Sequence, residues 1–198
     1  LPELPRDLHA RSRKEARRYV IVRADDYRGD PSKRAAYEQF ISEVLGRGLS
    51  VSDAVIPVGA GILLTEDAEA QAHLRGLQDN ERYEAALHGW THAPDEFVGR
   101  THDLYLRELR DGAAAMFLGT GRMPRTFIPP YNVMDAPALD AMADIGLSTV
   151  SAHRGNYAAI QGMDSRGLFR MSNVVAPEKA WTDDVPYLSR DELWRQLD

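Results

Sequence analysis

The stretch Tyr83-Glu84-Ala85-Ala86-Leu87-His88-Gly89-Trp90-Thr91-His92 decides how this chain is read. Tyr83–Leu87 is a short, largely apolar run of strand length, and two histidines four positions apart follow it with a glycine between them. Upstream, another apolar run, Tyr19-Val20-Ile21-Val22, leads to Asp25-Asp26. One strand end carrying two carboxylates and another carrying two imidazoles form a candidate cradle for a divalent cation, because carboxylate and imidazole ligands suit zinc and its first-row neighbours.

Outward from these two ends, strand and helix patterns alternate. Tyr19–Arg23 reads as a continuously apolar strand, residues 25–31 as a loop, and Ser32–Leu45 as a helix with Phe40, Ile41, Val44 and Leu45 on one stripe. Val51–Val58 is the next strand. Thr65–Leu77 is a helix with Thr65 as its N-cap and acidic residues in its first turn. After the strand Tyr83–Leu87 comes a long helix, His102–Leu118, with Leu104, Leu106, Leu109 and Met116 facing inward. Thr126–Ile128, Ala136–Ile145 and Leu147–Ala152 continue as strand, helix and strand. Residues 167–175 hold one or two strands, and Arg190–Leu197 a last helix. The alternation argues for an α/β fold with mainly parallel strands, in which functional groups gather where strands end. Residues 1–18 read as an N-terminal arm and 19–198 as one domain.

Bulk composition narrows the classes. At 198 residues and 22.1 kDa the chain is long enough for one sizeable core, and its 43% hydrophobic and 27% charged content is ordinary for a globular protein. A net charge of -6 gives no electrostatic footprint for nucleic acid or an anionic membrane. The one basic cluster, Arg11 to Arg18, reads as a solvated lead-in to the first strand. No cysteine is present, which excludes disulfides, thiol nucleophiles and thiolate metal sites. No apolar run approaches the roughly 20 residues of a membrane span. The chain begins at Leu1, so a processed start and an exported origin stay open.

The candidate chemistry follows from residue type. Asp26, His88 and His92 supply three ligands and leave coordination positions open for water and substrate. Asp25 then stands as general base. Taken singly, each pair is also what a turn or a surface histidine pair carries; their joint placement at two strand ends points to a site. Trp90 is a candidate aromatic wall beside the ligands or a packing residue over the loop. Glu96 is a candidate partner orienting His92, or a plain surface charge. His153 lies just past a strand, as the other candidates do, and is a further candidate or a structural histidine. His9, His73 and His102 read as surface residues, and Trp181 and Trp194 as packing.

In order, Arg23-Ala24-Asp25-Asp26, His88-Gly89-Trp90-Thr91-His92 and Phe127-Ile128-Pro129-Pro130-Tyr131 resemble the motif set of the polysaccharide deacetylases, the NodB-homology fold of carbohydrate esterase family four. The His-Gly-aromatic-x-His form is most similar to a less characterised branch of that superfamily, and the resemblance runs from about Val20 to about Ser151. It implies a distorted (β/α) barrel, incomplete at its C-terminus here, and metal-dependent removal of acetyl groups from N-acetylated sugars. By position it implies Asp25 as base, Asp26, His88 and His92 as ligands of one divalent ion, and Pro130-Tyr131 as the segment whose tyrosine N–H holds the oxyanion. Zinc is the expected ion, with cobalt, nickel or iron as alternatives. The expected partner is a carbohydrate substrate, with no nucleic acid and no membrane span, and no oligomeric state is implied. The resemblance implies an extracytoplasmic or cell-envelope location, with a cytoplasmic one left open. Two departures stand out. Ile128 replaces the arginine that braces the base in that family, leaving Arg23 or Arg125 to stand in. The late histidine that serves as general acid falls where this chain stops, so a trimmed chain, an incomplete site or a role for His153 are the readings that remain. Loss of catalysis, leaving a carbohydrate-binding or scaffolding domain of the same fold, is the competing expectation.

Overall fold

In the computed structural model, which describes residues 21–152 and 168–172, the first strand is β1, Ile21–Tyr27. It runs straight through Asp25-Asp26, where the sequence suggests a loop; the chain continues because β1 pairs with its neighbour again at Tyr27 after a bulge between Ala24 and Tyr27. The helix α1, Arg34–Gly46, follows a 3-10 turn at Pro31–Lys33 capped by the Asp30 side chain. Ile41 and Val44 of the expected stripe are buried, whereas Phe40 is exposed. Then come β2, Ser50–Val55, and a small hairpin of β3, Val58–Gly59, and β4, Ile62–Leu63.

The helix α2, Ala68–Leu77, is capped by Asp67 and not by Thr65, which lies in a 3-10 turn at Leu64–Glu66. The reason is a buried charge. Arg28 donates to the Ile56, Pro57 and Ile62 carbonyls, and Asp67 faces both Arg28 and Arg34, so the helix starts where that aspartate is held. After β5, Tyr83–Leu87, the long helix α3 spans His102–Thr120. Its inward side is built from Tyr105, Leu109, Ala113 and Met116; Leu104 and Leu106 are only half-buried. The series β6, Thr126–Phe127, α4, Ala136–Asp144, β7, Thr149–Ala152, and β8, Phe169–Ser172, completes the described chain.

Among the described residues, six strands form one parallel sheet in the order β1-β2-β5-β6-β7-β8. The sheet curls as a half-barrel with helices on its outer face, an incomplete (β/α) barrel as the sequence suggests. The large core lies between sheet and helices, with Tyr27, Leu87, Leu109, Met116, Phe127 and Val150 in it. The concave side is filled differently, by Ala54, Ala86 and Ile128, all fully buried. The arm at 1–18, His9, His153, Trp181, Trp194 and the helix expected at 190–197 lie outside the described residues. No described helix is long and apolar enough to cross a membrane.

One polar group is sealed into the outer core. Asp53 on β2 is fully buried, and its oxygens meet the Tyr37 and Tyr83 hydroxyls at 2.7 and 2.6 Å. The Tyr37 hydroxyl also lies 2.9 Å from the Ala24 carbonyl, and it has one proton to give. All these groups are satisfied when Asp53 is protonated and donates to Tyr37. Burial pushes the Asp53 carboxyl up to about 6 from 3.8, against the tyrosine hydrogen bonds, which lower it. Because the folded value is raised, this group's contribution is fully present below 3.8 and is lost as the pH rises through about 6. Asp53→Asn keeps an acceptor for Tyr83 and puts an amide N–H towards Tyr37. Urea unfolding at about pH 4 and about pH 7 is expected to show the wild type losing stability relative to this variant as the pH rises. Equal changes in both proteins would remove Asp53 as the source.

Candidate metal centre

Alternate residues of a regular strand point to opposite faces, so adjacent aspartates cannot both serve one site on a regular strand. The bulge in β1 breaks that alternation. Asp26 takes a left-handed backbone conformation, φ 69°, and its half-exposed carboxylate turns towards β5. Its Oδ1 lies 3.2 Å from His88 Nε2 and 3.0 Å from His92 Nε2. The two imidazoles face each other with ring centroids 4.6 Å apart, and one ligand atom from each of the three residues lies within 4.8 Å of the others.

His88 leaves β5 fully buried, and its Nδ1 is 2.7 Å from the Ile128 carbonyl. A carbonyl only accepts, so Nδ1 carries a proton; a neutral ring then presents its Nε2 lone pair to Asp26, and a charged ring presents an N–H. Two acceptors so close repel unless a proton or a cation lies between them. Partial burial pulls the His92 pKa down, but the Asp26 hydrogen bond and charge, with Glu96 and Asp25, outweigh it and hold the ring above its usual value. The His88 and His92 hydrogen bonds in turn hold Asp26 well below the usual carboxylate range. The donor set and its tautomer fit a divalent first-row cation.

The loop between the two histidines is held by Glu96. Its carboxylate accepts from Trp90 N, Thr91 N and Thr91 Oγ1 at 3.0, 2.8 and 2.9 Å. The sequence suggests that Glu96 orients the His92 ring; instead it grips the backbone that precedes it, because the loop turns back and presents its N–H groups. Gly89, φ 69°, is required beneath this grip: a Cβ there would sit 2.2 Å from Glu96 Oε2 and 2.5 Å from Pro130 Cγ. Trp90 is half-buried, and its carbonyl accepts from Val58 of the small hairpin.

Asp25 is held by Arg23. The guanidinium makes a two-pronged pair with the carboxylate, Nε to Oδ1 at 2.7 Å and Nη2 to Oδ2. It also reaches Asn132 Oδ1 at 2.7 Å and the Ser151 carbonyl at 3.1 Å. Arg23 is thus the residue that braces Asp25; Arg125 is exposed, and Ile128 is fully buried with Ala54 and Ala86. Tyr131 lies half-exposed with its ring 4.8 Å from His92, in a 3-10 turn at Pro130–Asn132. Tyr131 and Asn132 are both left-handed, φ 53° and 59°, as is His92 at 62°. For non-glycine residues each such conformation costs on the order of 1 kcal/mol or more, and the site carries several.

The structure therefore brings Asp26, His88 and His92 together, with Asp25, Arg23, Trp90, Glu96, Pro130 and Tyr131 around them. His73 differs from the surface role that the sequence suggests, and His102 keeps that role but meets two carboxylates there. His73 is largely buried, its ring against Tyr27 and 3.9 Å from Glu38, and His102 bridges Asp103 and Asp144 between α3 and α4. Sequence reading missed Asn132; its one signal is a polar residue tolerant of left-handed backbone directly after Pro-Pro-Tyr.

In solved structures the same architecture recurs. IcaB from Ammonifex degensii matches with a TM-score of 0.56 at 17% identity, covering 79% of this chain and 67% of its own. A de-N-acetylase from Aggregatibacter actinomycetemcomitans matches at 0.53 and 12%, covering 78% and 68%. The BpsB deacetylase domain from Bordetella bronchiseptica matches at 0.52 and 16%, covering 77% and 69%. The fold is that of the polysaccharide deacetylases. Against two other chains of this deacetylase fold, the protein spans only 37% and 41% of their length. No protein-family model and no curated protein sequence matches the chain.

Within the deacetylase fold the loop at Gly89 has no slack. Gly89→Ala is expected to cost about 2 kcal/mol or more by forcing Glu96 and Pro130 apart, and to weaken zinc binding. Urea denaturation and calorimetric zinc titration measure the two effects; a variant unchanged in both would show room that this geometry denies.

Proposed function

We propose that this protein is a metal-dependent hydrolase that removes N-acetyl groups from an N-acetylhexosamine-containing glycan. The observation that carries the reading is the meeting of Asp26 Oδ1 with both imidazole Nε2 atoms beside an arginine-braced Asp25, on a deacetylase fold. Asp26, His88 and His92 hold one divalent ion, zinc in the first instance. When bound, the ion supplies Lewis-acid activation of water and of the acetamide oxygen. Asp25 accepts the proton of the attacking water, and Arg23 keeps its carboxylate aimed without taking that proton, because a guanidinium stays charged. Tyr131 contributes its backbone N–H to the developing oxyanion, and its exposed ring forms one wall for the sugar together with Trp90. His153 is the candidate that returns a proton to the leaving amine.

A second reading has its own support. The other described histidines, His73 and His102, are engaged away from the centre, so the described residues supply no imidazole acid there. A carbohydrate-binding or scaffolding domain that keeps the fold without turnover matches that observation.

Zinc-loaded wild type is expected to release acetate from N-acetylglucosamine oligomers. His88→Ala is expected to weaken zinc binding by at least roughly 100-fold and to abolish release, since it removes a ligand that is itself oriented by a carbonyl. Undiminished zinc affinity in that variant would overturn the metal assignment. Glycan binding with no acetate release by the zinc-loaded wild type would favour the second reading.

A further inference from the structure

Asn132 has no part in the chemistry above, yet it is tied to its centre. It follows Tyr131 in the turn after β6, and both residues stand in the left-handed region, φ 59° and 53°. Asparagine tolerates that region better than most residues, and this alone could explain its presence. Backbone tolerance does not explain the side chain. Asn132 Oδ1 accepts from Arg23 Nη2 at 2.7 Å, across 109 positions of sequence. The same nitrogen grips Asp25, and Nη1 of the same guanidinium reaches the Ser151 carbonyl at the end of β7. With its side chain only 9% exposed, Arg23 is a nearly buried cation that joins β1, the turn after β6 and β7. On its other side the turn rests its Tyr131 ring on His92.

We propose that Asn132 is a positioning residue: its amide oxygen anchors the Tyr131 turn to Arg23, so that one guanidinium sets both the Asp25 carboxylate and the oxyanion-side loop. An amide suits this place because it accepts from Arg23 without adding a second negative charge beside Asp25. The catalytic consequence rests on the deacetylase reading above; the anchoring itself does not.

Two substitutions separate side chain from backbone. Asn132→Gly keeps the freedom to adopt positive φ and removes the acceptor. Asn132→Asp keeps both the acceptor and the tolerance. Zinc-loaded wild type and both variants are compared by amide hydrogen exchange over residues 129–133, and wild type and Asn132→Gly also by zinc titration and by acetate release from N-acetylglucosamine oligomers. The N–H groups of Asn132 and Val133, bonded to the Pro129 and Pro130 carbonyls, report on the turn. Exchange there is expected to be at least about tenfold faster in Asn132→Gly and near wild type in Asn132→Asp. In turnover, Asn132→Gly is expected to lose roughly tenfold or more in kcat, with KM and zinc affinity within about twofold, whereas Asn132→Asp, which places a second negative charge beside Asp25, is read by exchange alone. Wild-type exchange in Asn132→Gly, or equally fast exchange in Asn132→Asp, overturns the proposal. Wild-type kcat in Asn132→Gly overturns its catalytic part. The expected exchange pattern with no acetate release by wild type upholds the anchor and counts against the deacetylase reading alone.

Discussion

Two electron-pair donors, Asp26 Oδ1 and His88 Nε2, are held face to face at 3.2 Å with His92 Nε2 closing on the same oxygen at 3.0 Å. Such a contact is stable only with positive charge in its midst, as a proton or as a metal ion. Much of the surrounding structure serves to maintain it. The Ile128 carbonyl fixes the tautomer of His88 from behind. The bulge in β1 turns Asp26 out of the regular alternation, and Glu96 draws in the loop that ends at His92.

Strain is concentrated at the same place. Asp26, His92, Tyr131 and Asn132 all hold left-handed backbone, and none is glycine. Conformations of this kind persist where neighbours over-determine them, and here the neighbours are specific: Glu96 for the histidine loop, Pro129 and Pro130 carbonyls for the tyrosine turn, and renewed pairing at Tyr27 for the bulge. The half-barrel supplies the stiffness, with a large apolar core between sheet and helices and a thin layer of alanines and Ile128 on the concave side.

Ile128 and Arg23 are best understood together. In the pattern that the motifs resemble, an arginine opens the proline segment and braces the base. Here an apolar side chain fills the concave floor at that position, and the cation enters from β1, two residues before the aspartate it holds. Spacing of two along a strand puts both side chains on one face, which lets Arg23 reach Asp25. The new origin also lets the guanidinium reach Asn132 and Ser151.

The order of strands and helices, the parallel α/β class and the cluster of Asp26, His88 and His92 were readable from the chain, because apolar periodicity and strand-end placement are local properties. Tyr83–Leu87 and the strand end at His88 stand where periodicity puts them. Other features depended on contacts between distant segments. The Asp67 contacts with Arg28 and Arg34 at the start of α2, the Tyr37 and Tyr83 hydroxyls on buried Asp53, the packing of His73 on Tyr27, and the Arg23–Asn132 contact each join residues whose pairing has no periodic signature. Sequence by itself determined which residue types were offered to the site and on which strand ends they sat. Only the tertiary structure decided which partner each would meet, since a charge or a hydrogen-bonding group settles with whatever complementary group packing brings within about 3 Å, however far apart the two lie along the chain.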